Sequence, residues 1–369
     1  MAKESAALSR ADPAWPGEVA AAVCNFQGEQ HLVHCLDSLL AQTRPLASIT
    51  VYDNASSDGS ERVVRERYPG VRWVAMGANR GPCPARNRGL QEAAGEWVLL
   101  VDNDAVLAPD VVAKLVAAAR ERPGSALVQP RSVFDSDPDV VHYDGGSFHY
   151  VGLFSLRNFG VPALQAEGAR VEGVDGAVSV VLLAERAAVL EAGAFDERYF
   201  VLFEDLDLSW RLRVRGRTIW SVEDALVRHR GGTAGISFRG SVGYPRRRAF
   251  LHSRNRWMFL VECLRWRTLI ASLPGLAAYE LAWTLFALRT GTILGLLEGK
   301  VDFVRELPAS LRKRKQVERS RRARDRDLLV GGPLTISPNL RGAGAASGVL
   351  RALDGWLAWW WGVARRFSG

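Results

Sequence analysis

The sequence predicts an α/β fold: a doubly wound, mostly parallel sheet flanked by helices, followed by a helical C-terminal region. Three observations predict it. Between residues 18 and 121, short apolar runs alternate with segments whose apolar residues recur at helical spacing. The apolar runs lack the polar alternation of half-exposed strands, as strands buried on both faces should. Beyond Phe250 the pattern gives way to helical stretches rich in arginine and tryptophan.

The elements follow in order. EVAAAVC (18–24) reads as the first strand, and Leu32, Cys35, Leu36, Leu39 and Leu40 mark a helix over Gln30–Gln42. Ser48–Tyr52 is the next strand, and Ser57 and Asp58 can cap a helix that runs to Tyr68. Val71–Met76, Ala85–Ala94, Trp97–Val101 and Pro109–Glu121 continue as strand, helix, strand and helix, the last with proline in its first turn. In such a sheet the ligands lie beyond the carboxyl ends of the strands. From Val128 to Leu182 the segments are irregular, with short strand candidates. A helix around Glu185–Ala192, a half-helical stretch over 195–216 and closing strands at Thr218–Val222 and Ala225–His229 complete the unit. The chain therefore divides into a loose segment (1–17), an α/β unit (18–255) and a basic, Trp-rich helical tail (256–369).

Charge separates the same regions. From residue 251 onward there are 20 Lys/Arg against 9 Asp/Glu, whereas the preceding residues hold 28 against 31. A basic tail on a near-neutral body fits an anionic surface, and Arg351, Arg365 and Arg366 among Trp356, Trp359, Trp360 and Trp361 suit a helix lying in a lipid headgroup layer. No nucleic-acid-binding module accompanies the charge, so no nucleic acid is expected. Leu269–Leu288 has about the length of a membrane span, but Pro274 and Glu280 interrupt it. Met1 to Pro16 carries no apolar leader run, and the four cysteines have no CxxC spacing; both features predict a reduced, cytosolic setting. There is neither GxGxxG nor GxxxxGK[ST], which disfavours a dinucleotide-dependent dehydrogenase and a P-loop enzyme.

Chemistry concentrates at a few element ends. VLLVDND (98–104) carries Asp102 and Asp104 two residues apart at the end of an apolar strand, where both can point the same way. Such oxygen ligands suit Mg²⁺ or Mn²⁺ holding a diphosphate. Asp53 ends the earlier strand, placed either to accept hydrogen bonds from a nucleoside or to shape a turn. NRGPCPARNRG (79–89) sets Asn79 and Arg86 around glycines before a helix, a favourable place for phosphate. Glu204, Asp205 and Asp207 open another helix, more acid than capping requires, and a general base is expected among them. His229, beside Gly231-Gly232, is a further candidate metal ligand. The other histidines show no spacing beyond structure. Acceptor-binding residues are expected between Val128 and Gly193, where Asp175 is the one side chain singled out.

Taken together and in this order, VAAAVCNFQGEQHLVHCLDSLLAQT, VYDNASSDGS, NRGPCPARNRG, VLLVDNDAVLAPD, GAFDERYFVLFEDLDLSWRLRVRG and RHRGG with SRN (253–255) resemble glycosyltransferase family 2, the inverting group with a GT-A fold. The GAFDERYF…EDLDL element is most similar to rhamnosyltransferase-like bacterial members that build cell-surface polysaccharide. The resemblance implies that Asp53 and Asp102 contact the nucleoside of a nucleotide-sugar donor, dTDP- or UDP-linked. It further implies that Asp104 ligates the divalent metal with His229, that Asp205 is the base, and that Arg254 with Asn255 forms a late Arg-Asn pair near the site. The implied acceptor is a saccharide or a polyprenyl-linked saccharide, met at the inner face of the cell membrane. Cys24 before Asn25, and prolines at 82 and 84, depart from the family pattern. A catalytically inactive nucleotide-sugar-binding or scaffold protein of the same fold is the alternative.

Overall fold

Residues 18–102 fold as their apolar pattern dictates: β1 (Val19–Asn25), α1 (Glu29–Leu40), β2 (Ser48–Asp53), α2 (Ser60–Arg67), β3 (Arg72–Ala75), α3 (Pro82–Glu92) and β4 (Trp97–Asp102). The computed structural model describes residues 18–230, 232, 236, 243–335 and 345–369. β1 pairs in parallel with β2 and β4, and β2 with β3. Alternate residues of β4 serve opposite faces. Leu99 and Val101 join the core beneath α1, while Val98 and Leu100 join the one formed with α3. Gly89 lets α3 press onto β1, because a Cβ there would lie 2.4 Å from that of Ala22.

The sheet continues through β5 (Ala105–Leu107), which follows β4 and precedes α4 (Val111–Arg120), and through β6 (Ser125–Phe134) and β7 (Asp137–Tyr143). Pro109 stands just before α4, whose N-cap is Asp110. A separate three-stranded sheet begins with β8 (Gly146–His149) and β9 (Leu153–Leu156). β10 (Val171–Val174), β11 (Val181–Glu185), α5 (Arg186–Glu191), α6 (Glu204–Val214) and β12 (Thr218–His229) return to the large sheet. Its order is β10-β12-β6-β11-β4-β1-β2-β3, with β5 on β12 and β7 on β6. β11 runs antiparallel to β4 and β6; β6 and β12 are parallel to one another. The two closing strands expected from the sequence are one strand, with its pairing interrupted between Val222 and Leu226.

The tail comprises α7 (Arg246–Cys263), α8 (Trp266–Ala271), α9 (Leu273–Arg289), α10 (Ile293–Arg319), α11 (Asp325–Leu328), β13 (Leu329–Val330) and α12 (Ala345–Ala364). Residue 255 falls inside α7. β13 adds to β8, and one apolar cluster unites Phe148, Tyr150 and Trp210 with Phe259, Leu357 and Trp361. Trp361 stacks on Tyr150 at 5.0 Å, and the Trp360 indole donates to the Ala271 carbonyl. Two of the four tryptophans expected in a headgroup layer are therefore tied inward; Trp356 and Trp359 are exposed. α8 and α9 break at Ser272, Glu280 pairs with Arg256 and Lys300, and no helix among the described residues is long and apolar enough to cross a membrane.

Candidate active site

The carboxyl ends of β1, β2 and β4 are fastened to one another by polar side chains. Asn25 Nδ2 donates to Asp53 Oδ1 at 2.7 Å, and Asn103 Nδ2 donates to Asn25 Oδ1 at 2.6 Å. Asp53 also accepts from the Ser56 amide and hydroxyl. Its carboxylate is buried in this tie and is not among the residues lining the adjacent cavity.

That cavity, about 1090 Å³, gathers Asn79, Arg86, Asp102, Asp104, Glu204, Asp205 and His229. Asn79 stands exposed at its edge, its side-chain oxygen accepting from the Gly81 amide. Arg86 joins the acidic groups at its floor. Its Nη2 donates to Asp102 Oδ1 at 2.7 Å and to the Ser179 carbonyl at 2.9 Å, and its Nη1 reaches Glu204 Oε1 at 3.3 Å. The guanidinium is buried, and its Nη donors are committed to protein carboxylates rather than to a phosphate. An isolated buried charge is costly, and two carboxylates around one arginine relieve that cost.

Glu204 and Asp205 are adjacent yet differently placed. Glu204 is buried against Arg86, with Oε2 lacking a hydrogen-bond partner. Burial raises its pKa and the charge of Asp205 adds to the rise, opposed by Arg86. Asp205 is half-buried and opens to the cavity, with Oδ1 accepting from the Leu206 amide at 2.8 Å. Burial raises its pKa as well, against the pull of the Leu206 and Ser179 amides and of Arg86. Of the two, Asp205 is the less buried and is not engaged by Arg86, which suits it to accept a proton in the cavity.

The approach to α6 is bent into this position. Phe200, Leu202 and Phe203 all have positive φ, at 63°, 69° and 76°. Non-glycine residues in that region cost of order 1–3 kcal/mol each and persist only where the surroundings enforce them. Asn255 enforces them: its Nδ2 donates to the carbonyls of Tyr199, Val201 and Leu202 at 2.9, 3.0 and 2.7 Å. Arg254 adds bonds to the Arg198 and Tyr199 carbonyls and an ion pair with Asp302. From the other side, Gly81 closes on the loop, since a Cβ there would lie 2.1 Å from the Phe200 carbonyl oxygen. Arg254 thus supports the loop from behind and does not line the cavity. Asn255→Ala is expected to lower kcat on the order of 10²-fold, by releasing Asp205 from its position. Steady-state kinetics on folded protein checks it; unchanged kcat would refute the support role.

Asp104 Oδ2 and His229 Nε2 lie 3.2 Å apart at the end of β4 and of β12. Behind His229 is a residue the sequence did not single out: His142 Nδ1 is 3.1 Å from His229 Nδ1. Asp175 pairs with Arg213 at 3.1 Å and is not among the cavity-lining residues, so the structure does not bring it to the site. The Val128–Gly193 region instead contributes Phe134, His142, Tyr143, Phe154 and Phe159 to the walls. The cysteines are free thiols, three of them buried, and burial pushes Cys24 up to about 12.

A mostly parallel sheet with acidic strand and helix ends opening on one cavity defines a GT-A-like transferase architecture. Sequence comparison agrees. The family described as glycosyl transferase family 2 matches residues 21–163, and glycosyl transferase family group 2 matches residues 97–297. An N-acetylglucosaminyl-diphospho-decaprenol L-rhamnosyltransferase of Mycobacterium tuberculosis is 30% identical over 255 residues, 63% of this chain and 80% of the relative. The succinoglycan biosynthesis protein ExoO of Rhizobium meliloti is 31% identical over 150 residues, covering 40% of this chain and 41% of that protein. Among solved structures, GalNAc-T7 with UDP, GalNAc and Mn²⁺ superposes with a TM-score of 0.54 at 17% identity, over 71% of this chain and 51% of its own. The chain belongs to glycosyltransferase family 2 and is rhamnosyltransferase-like within it.

Proposed function

We propose that the protein transfers a sugar, with inversion, from a nucleotide diphosphate to a hydroxyl of a saccharide or lipid-linked saccharide, in the making of a cell-surface polysaccharide. The observation that carries this reading is that Asp102 at the end of β4, Asp104 just beyond it and Asp205 from α6 open onto one cavity. A sugar hydroxyl is a poor nucleophile at neutral pH, and Asp205 is the carboxylate placed to take its proton. Arg86 fixes the separation of the two acidic clusters, so neither has to move during the reaction. dTDP and UDP, the donor nucleotides implied by the sequence resemblance, are the ones to try first.

A divalent cation, Mg²⁺ or Mn²⁺, fits the donor set of the Asp104 carboxylate and the His229 imidazole. These two converge at the cavity surface, while Asp102 is engaged by Arg86. Among the described residues no group of three or more His, Cys, Asp or Glu is placed to hold a metal ion by itself, so diphosphate and water would complete the coordination. When bound, such an ion supplies neutralisation of the charge that grows on the leaving diphosphate. The test is thermal shift with dTDP- and UDP-sugars, with and without Mn²⁺. Metal-dependent stabilisation by a donor in wild type, lost in Asp104→Ala, is expected; equal shifts in both would refute the assignment.

His142 enters the same reading. A His229 that offers Nε2 to a cation carries its proton on Nδ1, and His142 Nδ1 is the acceptor for it. His142→Leu is expected to weaken Mn²⁺ binding about 10–100-fold, while His142→Asn, which keeps an oxygen near the Nδ1 position, stays near wild type. Mn²⁺ paramagnetic resonance measures both; equal loss in the two would show bulk packing alone.

The catalytic unit and the tail would act as one body, joined through the cluster of Tyr150, Trp210, Phe259 and Trp361. Its exposed apolar and basic surface would rest peripherally on the inner face of the membrane, against anionic lipid.

A further inference from the structure

Most of the large apolar side chains that stand exposed lie on the tail helices; among the described residues one of them lines the cavity, Phe26. It is 39% exposed and enters no aromatic pair among the described residues. An exposed ring inside a cavity is apolar surface that the fold leaves uncovered, and a flat ligand would cover it.

The backbone that carries Phe26 is held from both sides. Toward β2, the Gln27 amide donates to Ser56 Oγ at 2.8 Å. The Gln27 side chain exchanges bonds with Ser57, Nε2 donating to Oγ at 2.9 Å and Oε1 accepting from the amide at 3.2 Å. Toward β4, Asn103 Nδ2 donates to the Phe26 carbonyl at 3.4 Å as well as to Asn25. Gln27 keeps a φ of 49°, which a residue with a side chain holds only where its surroundings enforce it. Gly28 completes the turn, since a Cβ there would lie 2.1 Å from Asn25 Oδ1 and 2.2 Å from Asn103 Nδ2. The ring is therefore presented from a fixed turn, and little ordering remains to be done when a ligand covers it.

Two features decide which flat group fits. The first is a polar atom. Asn54, just past β2, is 2% exposed and lines the same cavity, and its Oδ1 has no hydrogen-bond partner. Its Nδ2 is engaged with Cys24 Sγ at 3.5 Å. An unpaired buried acceptor near an open ring suits a flat group with an N–H on its edge, as a nucleobase has, and not a hydrocarbon. The second is placement. β4, β1 and β2 are successive neighbours in the sheet, so Asp104, Phe26 and Asn54 stand past the ends of three adjacent strands. With strands about 4.8 Å apart, that row spans about 10 Å. Asp205 lies on the other side of β4, where it accepts from the Ser179 amide ahead of β11. A diphosphate held at Asp104 thus has its nucleoside within reach of Phe26, and the acceptor hydroxyl approaches from the opposite side.

We propose that Phe26 is the face on which the nucleobase of the donor stacks. The inference rests on the sugar-nucleotide reading of the same site and names the residue that seats the base.

The test is calorimetry on the full chain with Mn²⁺, titrating UDP, dTDP and inorganic pyrophosphate, which has no base. Phe26→Ala is expected to weaken UDP and dTDP about 5–150-fold, the usual worth of one stacked base, and to leave pyrophosphate unchanged. Phe26→Trp should restore nucleotide affinity, whereas Phe26→Leu, apolar but not flat, should not. Equal weakening of nucleotide and pyrophosphate in Phe26→Ala would show a disturbed turn and overturn the proposal. Unchanged UDP and dTDP affinity in that variant would also overturn it and leave sugar transfer standing. A wild-type chain that binds pyrophosphate but neither nucleotide would remove the donor reading together with this one.

Discussion

Asp205→Asn should lower kcat by about 10²–10⁴-fold, the usual worth of a positioned general base, while the protein stays folded and still binds donor. The amide keeps the shape and an oxygen for the Leu206 amide, so the loss isolates proton acceptance. Glu204→Gln is the control that separates the two neighbours. Glu204 is buried on Arg86, so its neutral analogue removes a partner from a buried cation and should act first on stability. The pH profile carries a further sign. Burial holds the Asp205 pKa above the ordinary carboxylate value, and the base works only when ionised. Activity is therefore expected above that raised pKa and should fall as pH drops through it, with the limb absent from Asp205→Asn. Turnover near wild type in Asp205→Asn, with the full loss in Glu204→Gln, would move the base by one residue.

The N-terminal half was legible because its information is local. Each of the first strands and helices carries its own period, and the structure shifts their ends by a residue or a few. Between Val128 and Leu182 the same reasoning gave little, and β6 shows why. SALVQPRSVF holds Pro130 and Arg131 in a strand buried along most of its length, and proline argues against a central strand because it cannot donate to the ladder. Here Pro130 is registered with Val222, where the pairing of β12 breaks before resuming at Leu226. The missing donor falls where no regular partner exists, a fact of tertiary register and not of sequence. The site divides in the same way. Asp102, Asp104, Glu204, Asp205 and His229 stand at element ends and could be found one by one. Arg86, His142 and Asn255 act on Glu204, His229 and Tyr199, which lie 118, 87 and 56 residues away, and no spacing rule connects them. Asp53 was equally readable as turn or ligand; the structure commits its carboxylate to the turn and to Asn25.

The basic run of the tail leads to the second large effect, on stability. Read as sequence, Arg312–Arg326 faces an anionic surface; in the structure Lys313 turns inward. Its Nζ lies 2.7 Å from Asp196 and from Asp207 and 2.9 Å from Glu262, the last two fully buried. Burial alone would raise Asp196 and Asp207. For Asp196, Lys313 with Arg198 more than reverses this, and for Asp207, Arg211 with Lys313 does, so both carboxyls sit below their usual pKa. Lys313→Met should therefore cost about 3–5 kcal/mol, the penalty of stranding buried charge, and appear as a lower urea midpoint at unchanged slope. A depressed carboxyl adds stability above its unfolded pKa and loses it as pH falls toward the folded one. The cost should accordingly shrink in acid. Exposed Arg312→Met is the comparison, expected within about 0.5 kcal/mol of wild type. Asp207 lies on α6 half a turn beyond Asp205, so this tie also holds the catalytic helix to α10. A chain ended at residue 300 loses Lys313 together with the Trp361 stack on Tyr150, and is expected not to fold. Were Lys313→Met to melt with Arg312→Met, and the shortened chain to remain folded, the tail would be an appendage and the catalytic unit would close without it.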